Sequence, residues 1–512
     1  MDSPNILVII VDQLRTPHWS PGQEVLDSFL PAQAALRRGA VVFDSYYTAA
    51  NACTPARSTL LTGLYTHQTG VFATRAVNEP ALHTGFSTWG HALREAGYQT
   101  NWYGKWHLAD YKTLEPYGFA GGTFPSPNGE PQEGILRDSG IVDQFLTWFD
   151  AEASRGPWAT TVSLINPHDI MYYPKETTEY LRNQPMPKLY RQLPPNFETP
   201  ESLLANQKPG LTRIYLKFCD VFGPLSYHGD GDGYKAEWIE MQNAYLFFQQ
   251  AVDAQIARVT AALANRPDVA TKTLLIFLSD HGEYLGSHGL RGKAGGLYEE
   301  GIHVPLVIKD PTGQWTRHPE ITRTQLLSSV DIFGLLLTLA TGDNTWRTKP
   351  QYAHLADRAD IATILRDPQS QGRPYILSTA DEPWTDEYTL PEYPDTIPSH
   401  AIAYRTRTAK LGCCSHWNPD SSEIRKEDQE WELYDYTDQR GLEETDNAYI
   451  ARPQLFAQMK QTLEEIALPQ ELRQPLPASM RSAQEETLHQ HFINLRDPRL
   501  KWGATKSSVD SN

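Results

Sequence analysis

Cysteine is scarce in this chain, with four residues in 512: Cys53, Cys219, Cys413 and Cys414. Four cysteines are too few for a disulfide framework at this length, and no CxxC pair is present to suggest structural zinc. Cys413 and Cys414 are adjacent, and a bridge between neighbouring residues would be strained. The cysteine pattern therefore favours a reducing compartment.

Long apolar runs are also missing. The apolar run at residues 6–11 is too short for a signal-peptide core or a membrane span, and no basic segment precedes it. The sequence contains no Asn-x-Ser/Thr glycosylation site. We therefore expect a cytoplasmic protein that makes no contact with a membrane.

Positive charge is in short supply, because 45 Lys and Arg face 62 Asp and Glu, for a net charge of −17. Such an acidic chain is not expected to bind nucleic acid, although a local cluster of basic residues and metal can still bind an anionic substrate. Aromatic residues are plentiful, with 13 Trp, 25 Tyr and 17 Phe. A large core is therefore expected, in one large α/β domain with a smaller partner.

Short apolar runs alternate with helical segments along the first part of the chain. Residues 5–11 (NILVIIV) and 273–278 (TLLIFL) are predicted strands that are buried on both faces, and residues 236–264 form a long predicted amphipathic helix. This alternation predicts an α/β fold with a large parallel or mixed central sheet and helices on both faces.

The composition changes near residues 366–372, which are rich in proline and aspartate. We place a boundary there, between a larger domain at residues 1–370 and a smaller C-terminal subdomain at residues 371–512. A second acidic stretch, residues 382–395, is predicted to be a solvated loop near this boundary.

The C-terminal part carries a different pattern. Residues 401–411 and 430–436 are predicted strands of a small antiparallel sheet, and a helix is predicted near residues 453–466. From about residue 468 the sequence is polar and rich in proline. This last part is predicted to be an extended tail that lies on the surface or frays.

Cys53 opens the segment Cys-Thr-Pro-Ala-Arg at residues 53–57. Thr54 suits an N-cap and Pro55 suits the first helical position, so Cys53 would lie just before a helix N-terminus, where anions are favoured. Arg57, one turn on, can point to the same place. Two interpretations remain: a buried structural cysteine, and a phosphatase thiolate. Phosphatases separate their Cys and Arg by more than the three residues found here.

Acidic residues follow the two predicted strands directly. Asp12 ends the first strand and Asp280 the second, and Gln13 and His281 come next. Because ligands in open α/β sheets bind at the carboxyl ends of the strands, both carboxylates can face one ion. Two carboxylates with neutral ligands suit a hard divalent cation that also binds substrate oxygens. The sequence therefore predicts a metal site formed by these four residues.

Several motifs occur in an order that resembles a known family. The chain is similar to the type I, formylglycine-dependent sulfatases of the alkaline-phosphatase-like superfamily over about residues 4–450. The motifs that carry the resemblance are NILVIIVDQ at 5–13, CTPARSTLLTG at 53–63, GKWHL at 104–108, NPHD at 166–169, SDHGE at 279–283, KAGGLYEEGIHVP at 293–305 and ELYDYTDQRGLEETDN at 432–447. The resemblance implies the alkaline-phosphatase-like fold for the larger domain.

The resemblance also implies a cofactor set. A formylglycine-generating enzyme would convert Cys53 to formylglycine (3-oxoalanine), whose hydrate would bind the metal and attack the sulfur of a small sulfate-ester substrate. The family often has a second Asp where Gln13 stands, and Asn or His where His281 stands. Having fewer carboxylates favours Ca²⁺ as the metal, with Mn²⁺ or Mg²⁺ as alternatives.

Further roles follow from the resemblance. Arg57 would stabilise the alkoxide, and Lys105 and Lys293 would hold the sulfate oxygens. His107 would accept a proton when sulfate leaves, and His168, together with Lys293, would protonate the leaving alcohol. Lys105 and His107 are two residues apart at the end of a predicted strand, so both are expected to point to one face.

Two other functions and several details stay open. A phosphonate monoester or phosphodiester hydrolase would use the same formylglycine, but such relatives lack the lysine and histidine of GKWHL. A non-catalytic sulfate-ester-binding protein is the second alternative. The alcohol part of the substrate (aryl, alkyl, choline-like or sugar) is open, and a homo-oligomer is an open alternative to a monomer. His288 and Asn78 are left out of the predicted site.

Overall fold

The chain is described in a computed structural model over residues 3–19, 21–74, 80–109, 112–228, 233–381, 391–393, 397–398, 400–418, 421 and 423–496. The strands within these residues are β1 (Asn5–Val11), β2 (Val41–Phe43), β3 (Tyr46–Tyr47), β4 (Gln99–Gly104), β5 (Ala120–Gly121), β6 (Trp158–Leu164), β7 (Thr273–Ser279), β8 (Leu306–Lys309), β9 (Leu327–Ser328), β10 (Ile376–Ala380), β11 (His400–Arg405), β12 (Ala409–Ser415) and β13 (Glu430–Asp435).

The α-helices within the same residues are α1 (Gln23–Phe29), α2 (Pro31–Arg37), α3 (Cys53–Thr62), α4 (Thr66–Thr69), α5 (Trp89–Glu95), α6 (Glu133–Glu152), α7 (Thr178–Leu181), α8 (Pro200–Ala205), α9 (Gly210–Cys219), α10 (Gly233–Ala264), α11 (Pro267–Ala270), α12 (Glu299–Ile302), α13 (Ile332–Thr341), α14 (Ile361–Arg366), α15 (Gln439–Leu442), α16 (Pro453–Thr462) and α17 (Ala478–Arg496). None of these helices combines the length and the apolar composition that a membrane span needs.

The larger sheet has seven strands in the order β2-β8-β7-β1-β6-β4-β5. β7, β1, β6 and β4 run parallel to one another, whereas β8 pairs antiparallel with β7 and β2 antiparallel with β8. Helices α3, α5, α13 and α14 pack on one face, and α2, α6 and α10 pack on the other. The predicted fold class, a mixed central sheet with helices on both faces, is therefore confirmed.

β1 shows why this sheet needs an apolar sequence without alternation. Its side chains at positions 6, 8 and 10 lie in the core on one face, and those at positions 7, 9 and 11 lie in the core on the other. Val11 is in register with Ser279 of β7 and with Leu164 of β6. The residues that follow β1 and β7 therefore leave the sheet side by side at its carboxyl edge.

The smaller sheet is antiparallel, in the order β10-β11-β12-β13. The prediction of one strand at residues 401–411 was wrong, because this run forms β11, a turn and β12. The Thr406 hydroxyl accepts the N–H of Thr408 at 3.4 Å and of Ala409 at 3.2 Å, which stabilises the turn. These hydrogen bonds from the backbone to the Thr406 side chain turn the chain, so β11 ends there and β12 begins.

The C-terminal tail differs from the predicted extended segment. A π-helix at Leu463–Leu472 continues from α16, and α17 follows it. Leu476 and Met480 are buried in the main core, and Thr487 packs against Gly70 of the α4 C-terminus. The helix was missed because its residues are mostly polar and carry a weak apolar stripe, so that only a few side chains anchor it.

Candidate active site

The carboxyl edge of the central sheet brings four of the predicted residues together. Asp12 and Gln13 follow β1, and Asp280 and His281 follow β7; each of these side chains is at most 1% exposed. The backbone N–H of Gln13 donates to Asp280 Oδ1 at 3.2 Å, which ties the ends of the two strands together. Gln13 has a φ of 64°. This left-handed conformation turns the chain sharply after Asp12.

Cys53 lies at the start of α3 and faces this edge. Its Sγ lies 3.1 Å from His281 Nε2 and 3.9 Å from Asp12 Oδ1. Helix α3 begins at Cys53, with Ala52 at the N-cap position, so the prediction of Thr54 as the N-cap was wrong. The Thr54 hydroxyl instead donates to the His107 carbonyl at 3.0 Å, because the buried helix start packs against that loop.

Arg57 lies between the two strand-end carboxylates. Its Nη2 is 3.1 Å from Asp12 Oδ2, and its Nε is 2.9 Å from Asp280 Oδ2. Its Nη1 donates to the Lys105 carbonyl at 2.7 Å and to Ser163 Oγ at 3.0 Å. The fully buried guanidinium is thus held by groups from four elements, and it fixes both carboxylates in place.

Four side chains offer a cation site. Suitable atoms of Asp12, Cys53, Asp280 and His281 all lie within 4.8 Å of one another, and all four residues are buried. Burial raises the pKa of Asp12, but the positive charges of Lys105 and Arg57 outweigh burial and hold it well below its usual range. Two carboxylates with an imidazole suit a divalent cation. The donor set therefore fits the metal that the sequence predicts.

The two predicted lysines approach the edge from different loops. Lys105 Nζ lies 2.6 Å from Asp12 Oδ2 and 3.7 Å from Cys53 Sγ. Lys293 Nζ donates to Gln13 Oε1 at 2.7 Å. The prediction that strand alternation points Lys105 and His107 to one face was wrong. β4 ends at Gly104, and both residues lie in the loop beyond it, where His107 has a φ of 58°. Loop geometry, not strand alternation, positions them.

Both predicted histidines are buried near these charges. Burial and then the charges of Lys105 and Arg57 lower the pKa of His107 well below its usual value, and burial with Lys105 and Lys293 does the same for His168. Their Nδ1 atoms have no hydrogen-bond partner among the described residues. Each ring is therefore neutral, with one nitrogen available to a ligand.

Gly129 is a site residue that the sequence did not indicate. A Cβ at this position would lie 2.6 Å from His168 Cε1 and 2.7 Å from Lys105 Nζ, and its φ is +85°. Tyr172 donates its hydroxyl proton to the Gly129 carbonyl at 2.5 Å. Only a glycine allows the backbone to pack this closely against the imidazole and the ammonium, and no motif around it signals that role.

His288 lies outside this cluster. Its Nδ1 is 2.8 Å from Glu198 Oε2, and its ring stacks on Tyr298 with a centroid separation of 4.0 Å. It belongs to a separate buried group with Glu300 and Glu444. Asn78 and most of the acidic stretch 382–395 lie outside the described residues.

Comparison with known protein families identifies the chain. A family model described as Sulfatase matches residues 4–342, which is more than half of the chain. The chain belongs to the sulfatase family. The resemblance stated from the motifs is therefore confirmed, and so is the fold class that it implied.

Curated relatives of this chain include an uncharacterized sulfatase and a choline-sulfatase. An uncharacterized sulfatase of Escherichia coli, YidJ, is 28% identical over 332 residues, which cover 58% of this chain and 60% of that protein. A choline-sulfatase of Rhizobium meliloti is 27% identical over 351 residues, which cover 60% of this chain and 63% of that protein. The match thus spans about 60% of the length of these two relatives.

Solved structures of two kinds of enzyme share the fold. A 2-O GAG sulfatase superimposes with a TM-score of 0.65 at 17% identity, covering 94% of this chain and 96% of that one. A phosphonate monoester hydrolase from Silicibacter pomeroyi superimposes with a TM-score of 0.65 at 20% identity, covering 90% and 94%. Both are similarities of fold, and proteins with one fold can catalyse different reactions.

Proposed function

We propose that this protein is a sulfuric ester hydrolase that converts sulfate monoesters to an alcohol and inorganic sulfate. The observation that carries the proposal is the surroundings of Cys53. Its Sγ lies within 4 Å of Asp12, Lys105 and His281, at the start of a buried helix. A nucleophile, an ammonium group and a cation site therefore meet at one point, as transfer of an anionic group requires.

Maturation of Cys53 to formylglycine by a generating enzyme completes the proposed nucleophile. Residue 53, as hydrated formylglycine, would supply one hydroxyl to displace the alcohol from sulfur and a second hydroxyl, whose loss of a proton would let sulfate leave as the aldehyde re-forms. A divalent cation, Ca²⁺ in this proposal, would be held by Asp12, Asp280, His281 and the modified residue 53. Gln13 adds an amide oxygen beside them. The charge of the cation would lower the cost of the developing negative charge.

The side chains of this protein would divide the remaining tasks. Lys105 and Lys293 hold the sulfate oxygens, and Arg57 fixes the carboxylates and the nucleophile. His107 is neutral, so it can accept a proton at its free nitrogen when sulfate leaves. The anionic ester would raise the pKa of His168 by opposite charge and allow it to protonate the leaving oxygen with Lys293.

Hydrolysis of a phosphonate monoester is the second candidate, because the two tetrahedral anions share shape and metal affinity. Lys105 and His107 favour the sulfate ester. The aromatic residue Tyr172, which bonds Gly129 beside His168, would lie near the alcohol part of the ester. An aromatic ring there suits a cyclic or cationic alcohol, so aryl, choline-like and sugar sulfates are the substrates to compare.

The first experiment is the mass of the tryptic peptide that spans residues 39–57, from protein made together with a formylglycine-generating enzyme. We expect the mass of an aldehyde in place of the Cys53 thiol. Turnover is then measured on aryl, alkyl, choline and sugar sulfates and on one phosphonate monoester, with Cys53→Ala as the inactive control. An unmodified thiol, or faster turnover of the phosphonate than of every sulfate, would overturn the proposal.

A further inference from the structure

Every polar group of Gln13 forms a hydrogen bond within the protein. Its N–H donates to Asp280 Oδ1, and its carbonyl accepts the Tyr245 hydroxyl at 2.7 Å. In the side chain, Nε2 donates to Glu283 Oε2 at 2.5 Å and Oε1 accepts Lys293 Nζ at 2.7 Å. The residue is fully buried. The side-chain amide therefore links a buried carboxylate to the ammonium of Lys293.

Chemistry fixes the orientation of this amide. The ammonium of Lys293 donates only, so it faces the Gln13 oxygen, and the Gln13 NH₂ is left to donate to the Glu283 carboxyl. If the Gln13 amide were rotated by half a turn, its NH₂ would face the ammonium and its oxygen would face the carboxylate. Both contacts would then be repulsive, so the orientation given above is the stable one.

Glu283 is itself firmly held. Its Oε1 accepts the N–H of Leu285 at 2.9 Å and the N–H of Gly292 at 2.7 Å, and the side chain is fully buried. Gly292 directly precedes Lys293 in the chain. The carboxylate thus fastens the backbone beside Lys293 with one oxygen and directs the Gln13 amide with the other.

We propose that Glu283 is a positioning residue that aims the Lys293 ammonium at the reacting group through the Gln13 amide. This inference rests on the proposed function, in which Lys293 holds a sulfate oxygen and assists protonation of the leaving oxygen. The Gln13 oxygen has two lone pairs, so bonding Lys293 leaves one for the predicted cation. A carboxylate at position 13 would repel Glu283, and the amide avoids that repulsion.

The proposal predicts that polarity, not shape, matters at these two positions. In Glu283→Gln, the N–H groups of Leu285 and Gly292 hold the new amide oxygen where Oε1 now lies. The new NH₂ then faces Gln13 Nε2, and Gln13 must rotate its own NH₂ toward Lys293. In Gln13→Glu, two carboxylates meet. In the double variant, the new carboxylate at position 13 accepts from the new amide at position 283 with one oxygen and from Lys293 with the other, so the link is restored.

The test measures binding of inorganic sulfate to the metal-loaded protein by calorimetry, together with kcat and KM for aryl sulfates with good and poor leaving groups. Each single variant should bind sulfate about 10-fold more weakly, because one charge-assisted hydrogen bond is lost. The same variants should lose more kcat with the poor leaving group than with the good one. The double variant should return to within about threefold of the parent in sulfate affinity.

Two comparisons separate positioning from general damage. Asp253→Asn replaces another buried carboxylate by an amide. This carboxylate accepts two backbone N–H groups, from Ala32 and Gln33, at 2.9 Å each. We expect it to lower the melting temperature without changing sulfate affinity. In a Lys293→Met background, Glu283→Gln should cause no further loss, because its effect passes through the ammonium. Metal content is measured for every variant.

The inference is overturned if either single variant binds sulfate as tightly as the parent does. It is also overturned if the loss of sulfate affinity in the double variant equals the sum of the two single losses in free energy. A third contrary result is that Glu283→Gln causes the same loss of sulfate affinity in the Lys293→Met background as in the parent. Failure of the proposed function gives a different result. The parent protein would then hydrolyse no sulfate ester, while the sulfate affinities of the variants would still report whether Glu283 positions Lys293.

Discussion

Lys105 Nζ lies 2.6 Å from Asp12 Oδ2, and both side chains are fully buried. Burial alone would lower the pKa of Lys105, but the charges of Asp12 and Cys53 outweigh it and raise the pKa. The ammonium is therefore charged at neutral pH, 3.7 Å from the sulfur of Cys53. A buried, fixed positive charge so close to the nucleophile is well placed to stabilise a sulfuryl group in transfer.

Replacing Lys105 by Met should lower kcat/KM for a sulfate ester by about 100-fold to 1,000-fold, as loss of one fixed donor to a developing anion does in other enzymes. Asp12 keeps Arg57 as a partner at 3.1 Å, so the fold should survive. Lys105→Arg should also be impaired, because the larger guanidinium does not fit beside the Gly129 backbone. Steady-state kinetics and a thermal melt measure both effects; an active Lys105→Met enzyme would exclude the proposed role.

Removal of divalent metal should abolish turnover and lower the melting temperature. The carboxylates of Asp12 and Asp280 share the buried edge, and a cation that binds only the folded protein adds about 2.7 kcal/mol of stability at about 100 times its Kd. The measurement is a melt and an assay after chelation, followed by addition of Ca²⁺, Mn²⁺ or Mg²⁺. We expect Ca²⁺ to restore turnover and the melting temperature more fully than Mn²⁺ or Mg²⁺ does.

Asp280→Asn is the matching variant, because it keeps the shape of a predicted ligand and removes its charge. It should contain less metal after purification and show a smaller loss of melting temperature on chelation than the parent. Asp253→Asn, which changes a buried carboxylate of α10 that accepts backbone N–H groups at the start of α2, should behave as the parent does in both measurements. Full activity of the parent in excess chelator would rule out the metal site.

Residues that follow strands were predictable from the sequence, because a buried parallel strand has a strong apolar pattern and a defined end. Asp12 and Asp280 were placed in this way, and the structure puts them at one edge, joined by Arg57. The roles of Cys53 and His168 came from the family motifs. The structure describes their surroundings, and their roles stay predictions.

The contacts between distant loops could not be predicted from one sequence. Gln13 and Glu283 are 270 residues apart, and neither pattern nor spacing indicates that they meet. Gly129 belongs to no motif, although it packs against His168 and Lys105. The turn at Thr406 was missed for a different reason. Its residues have high strand propensity, and a side chain to backbone hydrogen bond overrides that propensity.

Gly129→Ala should impair catalysis more than stability. The added Cβ would lie 2.6 Å from His168 Cε1 and 2.7 Å from Lys105 Nζ, so both side chains must shift. A displacement of about 1 Å in a catalytic group can cost about 100-fold in rate. The measurement is kcat/KM with a sulfate ester, compared with Gly140→Ala on α6, where an added Cβ meets nothing within 4 Å.

We expect Gly140→Ala to keep the parent rate and to be at least as stable, since alanine favours a helix more than glycine does. Equal rates in both variants would show that the backbone at Gly129 does not limit the positions of His168 and Lys105. The predicted outcome is a loss of kcat/KM confined to Gly129→Ala, together with a modestly lower melting temperature for that variant, because a φ of +85° strains an alanine.

The buried group of His67, His400 and Asp381 should make stability depend on pH. His67 Nε2 lies 3.3 Å from His400 Nε2, and His400 Nδ1 bonds Asp381 Oδ1. Burial lowers the pKa of His67 and of His400 to about 3, and burial raises the pKa of Asp381 to about 7. His491 of α17 also faces Asp381.

Between about pH 4 and about pH 6, the unfolded chain carries a proton on each of the two imidazoles and none on the carboxylate. The folded group carries one proton, on Asp381, and none on His67 or His400. The unfolded state thus binds one more proton, so this group should lower the free energy of unfolding by about 1.4 kcal/mol for each pH unit lowered in this window. Urea unfolding of the full chain at several pH values measures the slope.

His67→Gln removes one of the two imidazoles and keeps a polar side chain beside His400. The unfolded and folded states of this variant then bind equal numbers of protons in the group, so the contribution of the group to the slope should vanish. His83→Gln is the control, because His83 is 39% exposed and its substitution should leave the slope unchanged. A slope that His67→Gln leaves as steep as that of the parent would show that acid sensitivity arises elsewhere in the protein.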